Sequence, residues 1–292
     1  MAQRQSDRPA VAIMIMIAAV AMLVGMNTLV KVIGPDYHAF QITFLRNAIA
    51  AVVLMPFVLR AGGLAALRTR RPGLQLVRSL SGLTGVCCFF YAVQRMGVGE
   101  VMVLSQAVPL FVTALAVPLL KEKVGWRRTC AVVAGFAGVV LALGPAGDIS
   151  VPALIAVLGT ALWSVTILTV RKLGETDSPE TTTFYYMVFG TIVGAAFQPW
   201  IWQTPPAELW PLFLGAGVLG AIAQLLIAYA LKIGEASVVS PFNYTAIVWG
   251  ILIDLIFWHV YPSYWTLAGA FVITAAGVYI FRREGRPVKD TP

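Results

Sequence analysis

Apolar residues in this chain run together in long blocks, each closed by a charged or turn-forming cluster, instead of alternating at the period of a strand. A block of about 20 mostly apolar residues is long enough to cross about 30 Å of hydrocarbon as a helix. The blocks predict spans at 10–32, 38–59, 73–94, 100–120 and 126–143, followed by the turn-rich Gly144-Pro145-Ala146-Gly147-Asp148. Five more follow at 151–170, 180–199, 208–230, 237–258 and 263–281. The expected fold is an all-α membrane protein of ten transmembrane helices, with no stretch polar enough and long enough for a separate soluble domain.

The placement of basic residues tests that count, because cytoplasmic connections hold the excess of lysine and arginine. With the N-terminus inside, Arg4, Arg8, Arg60, Arg68, Arg70, Arg71, Arg78, Lys121, Lys123, Arg127 and Arg128 fall on the inner side. Arg171, Lys172, Lys232, Arg282, Arg283, Arg286 and Lys289 join them, giving 18 inner residues against Lys31 and Arg95 outside, with Arg46 inside a span. Both termini are therefore expected in the cytoplasm. The run from Ala10 to Val30 exceeds a signal-peptide core of about 7 to 15 residues and is expected to remain as the first helix.

The two halves echo each other. Tyr91-Ala92-Val93-Gln94 leads through Gly97 into an apolar helix, and Tyr229-Ala230-Leu231-Lys232 leads through Gly234 into another. Glu122 then falls opposite His259, and Ala137-Gly138-Val139 opposite Ala276-Gly277-Val278. Five spans is an odd number, so a duplicated half inserts upside down, which predicts inverted repeats at 1–147 and 148–292 with a substrate site between them near mid-membrane.

Composition narrows the chemistry. Only 12% of residues are charged and 59% are hydrophobic, so the net charge of +8 reads as membrane orientation and not as a nucleic-acid surface. Cys87, Cys88 and Cys130 sit in apolar runs without disulfide or metal-ligand spacing. There is no phosphate-cradling glycine loop and no His-Glu-x-x-His, so direct ATP energisation and an intramembrane enzyme both lack their motifs. No cofactor or metal is expected; the ligand is a small molecule, and the expected functional unit is a monomer in the bilayer.

The chain resembles the EamA-type drug/metabolite transporter superfamily along essentially its whole length. The resemblance rests on Phe44-Leu45-Arg46-Asn47, Tyr91-Ala92, Pro109-Leu110-Phe111, Leu120-Lys121-Glu122-Lys123 and Gly135-Phe136-Ala137-Gly138-Val139. Within the superfamily it resembles YddG-type amino acid exporters and is also similar to S-adenosylmethionine carriers. The resemblance implies ten helices, internal termini and alternating access in a bacterial-type cytoplasmic membrane. It points to a secondary exporter of amino acids or related amphipathic metabolites; the alternatives are a carrier of S-adenosylmethionine or cationic drugs, or a passive channel. Many relatives carry glutamate where this chain has His259, so a scheme built on symmetric glutamates does not transfer, and Glu122 reads as a local cap or pair.

Polar groups inside spans are costly in lipid and tend to face a cavity or a protein interior. Arg46 presents a fork of donors suited to a substrate carboxylate, or pairs with another helix. Asp254 is a candidate for gating or coupling, with Arg46 as a possible partner across an outer gate, or it serves as a static bridge or cap. His259, beside Trp258 and Tyr261, reads as part of an interfacial belt with Trp200, Trp202, Trp210 and Trp265. Candidate cavity walls are Trp163, Tyr91, Phe89, Phe90, Tyr185 and Tyr186, and candidate hydrogen-bonding groups are Asn27, Gln106, Gln224, Asn243 and Tyr244. Pro109 lacks an N–H, so it predicts a kink in the fourth span that acts as a hinge or is static. The segment Gly190–Gly194 offers a small-residue face for close helix packing.

Overall fold

The computed structural model describes residues 9–60, 69–120, 125–144, 150–233 and 239–284. Its helices are α1 (Pro9–Ile33), α2 (Ala39–Arg60), α3 (Pro72–Val93), α4 (Val98–Ser105), α5 (Val108–Leu120), α6 (Trp126–Ala142), α7 (Val151–Leu173), α8 (Pro179–Ile201), α9 (Trp210–Ile233), α10 (Thr245–Trp258) and α11 (Tyr264–Glu284). They fall on the ten predicted segments, α4 and α5 together on the fourth, and apart from the start of the ninth the predicted boundaries hold to within about three residues. Among the described residues eight helices are long and apolar enough to cross a membrane by themselves. The exceptions are α6, which has 17 residues and opens on Trp126-Arg127-Arg128, and α8, which opens on Pro179-Glu180 and three threonines.

Local chemistry sets the helix ends. Ser150 and Ser178 cap α7 and α8 by accepting the N–H groups of Ala153 and Thr181, each followed by a proline in the first turn, where no N–H is needed. Glu100 folds back to accept the N–H of Gly97 at the start of α4.

Packing follows a scheme that is unchanged when the first five spans are exchanged for the last five. Helix α1 packs along α9 as α3 packs along α7; α2 meets α8, α6 meets α11, and α4 crosses α10. Missing side chains permit the closest approaches. At the α6–α11 contact, a Cβ on Gly269 would lie 2.6 Å from the Gly138 carbonyl oxygen, and at the α4–α10 crossing a Cβ on Gly250 would lie 2.9 Å from the Gly99 Cα. Gly190 and Gly194 seat α8 against Asn47 and Phe44 of α2. This is the arrangement that a two-fold-related pair of five-span repeats generates.

The fourth span is broken, not merely kinked. Helix α4 stops at Ser105, a turn spans Gln106 and Ala107, and Pro109 takes its place in the first turn of α5. Loosened backbone in a membrane must find partners. Thr160 of α7 donates to the Leu104 carbonyl and Ser164 donates to that of Val108, both at 3.3 Å. The ninth span, expected as one helix from residue 237, also has an irregular start: a 3-10 turn over Ser240–Tyr244 precedes α10. Both irregular segments face the middle of the molecule.

Two polar networks tie the connections together at the ends of the bundle. Gln94 donates to the carbonyls of Gly34 and Tyr37, and Gln41 brackets Gln203 by donating to its carbonyl and accepting its N–H. At the other end Asp177 accepts from Thr69, the Arg70 N–H and Gln75, while Arg71 pairs with Glu175. Burial pushes the Asp177 carboxyl up, but the bonds from Thr69, Gln75, Arg70 and Thr176 outweigh it and hold the group below its ordinary range. Glu122, Lys121, Lys123 and the connection 145–149 lie outside the described residues.

Candidate functional site

A cavity of about 390 Å³ lies between the halves, lined from α1, α2, α3, α4, α5, α7, α9, α10, α11 and the 3-10 turn. Its volume is at the small-molecule end of the range for ligand sites, about 300 to 1,000 Å³. Of the residues singled out from sequence, Asn27, Arg46, Phe89, Phe90, Gln106, Pro109, Trp163, Gln224, Asn243 and Tyr244 all line it. The two helix interruptions bring Gln106 and Asn243 there. Asn27 donates one amide N–H to the Leu23 carbonyl, which leaves its carbonyl oxygen and its second N–H for a ligand. The Tyr244 hydroxyl has no hydrogen-bond partner among the described residues and lies where Gly277 carries no side chain: a Cβ there would be 1.7 Å away.

Three candidates are placed elsewhere. Tyr91 lines a second pocket of about 250 Å³ with Pro35, His38 and Arg95, whose guanidinium stacks 3.9 Å over the Tyr91 ring. Tyr185 is half-buried and lines neither pocket, and Tyr186 is buried behind Arg46. Sequence reading missed the apolar lining, including Met26, Met102, Val278 and Phe281. An apolar residue that faces a cavity carries no mark in the sequence that separates it from one that faces lipid.

Arg46 is 9% exposed and is held by neutral acceptors. Its Nη2 donates to Asn47 Oδ1 at 2.7 Å and to the Tyr186 hydroxyl at 3.1 Å, its Nη1 approaches Met26 Sδ at 3.8 Å, and its Nε has no partner among the described residues. No carboxylate among the described residues pairs with it. The Phe90 ring lies 5.6 Å from its Cζ. A cation held by neutral acceptors beside an aromatic ring in a cavity wall is chemically able to hold an anionic group.

Asp254 is 4% exposed, and its partner is Lys31, not Arg46. Its Oδ1 accepts from Lys31 Nζ at 2.9 Å and from the Val98 N–H at 3.0 Å, and its Oδ2 accepts from the Gly99 N–H at 2.7 Å. One carboxylate thus ties α1 and α10 to the N-terminus of α4, where the helix dipole favours a negative charge. Lys31 also stacks 4.2 Å over Trp258. Lys31 is one helical turn beyond Asn27, and Asp254 is eight residues beyond Ala246, about 12 Å along α10. This Lys31–Asp254 latch therefore lies beyond the cavity's lining residues, at the end where α1 finishes. Other lining residues, Ile167, Ile227 and Phe281, lie toward the opposite end. Trp258 thus belongs to the latch, whereas Trp200 and Trp265 are exposed as interfacial residues are. His259 closes α10 with a left-handed backbone.

Known proteins resemble this chain in sequence and in fold. A riboflavin transporter of Vibrio cholerae is 31% identical over 236 residues, 80% of this chain and 79% of that one. An S-adenosylmethionine uptake transporter of Rickettsia bellii is 28% identical over 256 residues, 87% of each chain. A pseudopaline exporter of Pseudomonas aeruginosa is 26% identical over 265 residues, 89% of this chain and 92% of its own. A solved crystal structure shares the fold with a TM-score of 0.63 at 20% identity, covering 95% of this chain and 99% of the other. The pattern of the EamA-like transporter family matches residues 10–144 and again 151–282. This chain is a multi-pass integral membrane protein that belongs to the EamA-like transporter family, whose work is transport and not catalysis.

Proposed function

We propose that this protein is a secondary transporter of an amino-acid-type metabolite, S-adenosylmethionine included, whose carboxylate is held by Arg46 and whose apolar or ring portion lies against Trp163, Phe89 and Phe90. The observation that carries the reading is Arg46 itself: a buried guanidinium in a cavity wall which, among the described residues, has only neutral acceptors and no partner for its Nε. An intramembrane charge of this kind is expensive unless it serves a ligand or a partner. Riboflavin and S-adenosylmethionine, named for two of the relatives, each combine a flat heteroaromatic ring with a polar chain, which fits the same walls.

The two halves, 1–147 and 148–292, act as inverted repeats that rock about the cavity. With the N-terminus in the cytoplasm, the Asp254 latch is the outer gate, and the cavity has its access from the cytoplasmic side. Alternating access then requires the latch to break and the α4–α10 crossing to separate while the inner ends close.

The test is uptake into proteoliposomes of labelled amino acids, S-adenosylmethionine and riboflavin, with the amides of the amino acids as competitors. Saturable counterflow is expected, with acids preferred over amides, and Arg46→Lys weakens that preference because a point charge does not reproduce the fork. Equal discrimination by wild type and Arg46→Lys would remove the carboxylate from Arg46. Counterflow that fails to saturate would indicate a channel.

A further inference from the structure

Arg78 was counted above with the basic connection before the third span, but it lies inside α3 and is 7% exposed. Its Cζ sits 4.2 Å from the centroid of the Tyr186 ring. Among the described residues its Nε and Nη1 have no hydrogen-bond partner and no carboxylate pairs with it. Gln75, nearly one turn earlier on α3, donates to Asp177, but that carboxylate is already engaged by Thr69 and the Arg70 N–H. The Tyr186 ring is also pressed against α3 at Gly82, where a Cβ would lie 3.1 Å from its Cε2. Its hydroxyl accepts from Arg46. A single phenol therefore separates two buried guanidinium groups, one behind the cavity wall and one in it.

We infer that Arg78 is a specificity-determining residue: its charge, without a carboxylate partner among the described residues and set behind Tyr186 and Arg46, makes that end of the cavity select ligands with an anionic group. The inference rests on the reading of Arg46 given above. Taking one charge out of water costs several kcal/mol even after relaxation, and a second charge of the same sign nearby adds repulsion. Stacking on Tyr186 alone does not require a charge, since a methionine stem fills similar space without the desolvation cost. A ligand carboxylate at Arg46 is attracted by both cations, whereas a neutral analogue at the same place gains from neither. Arg78 does not line the cavity, so it acts through the field at Arg46 and through the seat it gives Tyr186, not by touching the ligand.

The experiment measures ligand-induced thermal stabilisation of the purified full-length protein by L-tryptophan, L-phenylalanine and their amides, in wild type, Arg78→Met, Arg78→Gln and Arg78→Lys. Wild type prefers acid to amide. Arg78→Met and Arg78→Gln are expected to lose about five- to tenfold of that preference, and Arg78→Lys to keep most of it. Arg78→Met without ligand is expected to melt no lower than wild type, a result that a purely structural role does not give. Preference retained in both neutral variants would overturn the role of Arg78 and leave that of Arg46 standing. No acid preference in wild type would overturn the Arg46 reading and this one with it. Loss of preference in Arg78→Lys equal to that in Arg78→Met would show that charge is not the determinant.

Discussion

Replacing Asp254 with asparagine tests whether the latch controls access to the cavity. The carboxylate receives three hydrogen bonds, from Lys31 Nζ at 2.9 Å, the Val98 N–H at 3.0 Å and the Gly99 N–H at 2.7 Å. An amide of the same shape has one acceptor oxygen, so its NH2 must face at least one of these donors, and the attraction to Lys31 and to the α4 dipole is lost. Hydrogen bonds to a charged group contribute about 1.5 to 3 kcal/mol each, so a net loss of about 2 to 3 kcal/mol is a conservative figure. If the open form lacks these bonds, that loss raises the ratio of open to closed about 30- to 150-fold. Met102 is 7% exposed and lines the cavity one turn below the α4 N-terminus, which makes it a reporter. Met102→Cys in a background without Cys87, Cys88 and Cys130 would be labelled with an impermeant maleimide added on the side where α1 ends. Labelling is expected to accelerate about 30-fold or more in Asp254→Asn, to a smaller degree in Lys31→Met, and no further when the two are combined. An unchanged rate in a folded Asp254→Asn protein would refute the latch.

Three other expectations follow from the geometry. Trp163→Ala should raise the half-saturating substrate concentration about two- to tenfold, the value of one aromatic contact, while leaving the melting temperature close to wild type; a parallel loss of both would point to packing instead. Gly277→Ala places a methyl group where the Tyr244 hydroxyl lies, so transport should fall, and adding Tyr244→Phe should restore part of it; failure of the second change to help would mean that the clash is relieved elsewhere. Asp177 titrates below its ordinary value, so its contribution to stability is present above the unfolded pKa of about 3.9 and is lost as pH falls through the lower folded value. Melting temperature measured across acid pH should drop there in wild type and more shallowly in Asp177→Asn, and identical profiles would exclude Asp177 as the cause.

The sequence by itself determined that the chain is an all-α multi-span membrane protein and, to within a few residues, the limits of most of its helices, because crossing hydrocarbon imposes a length and a composition that can be read without knowing any neighbour. It also picked out Arg46, Asn27, Gln106 and Trp163 as cavity residues, since polar or bulky groups inside a span have few other places to go. Only the tertiary structure decided partnership. Lys31 and Asp254 are 223 residues apart, and nothing local in either helix marks one as the answer to the other. Tyr91 and Trp163 are both aromatic residues on spans, yet helix rotation places one at an end pocket and the other at the centre. Arg78 shows the limit most clearly: near the start of its span it looks like one more cytoplasmic charge, and its burial against Tyr186 arises because α8 closes over α3 at Gly82, a contact between segments about a hundred residues apart.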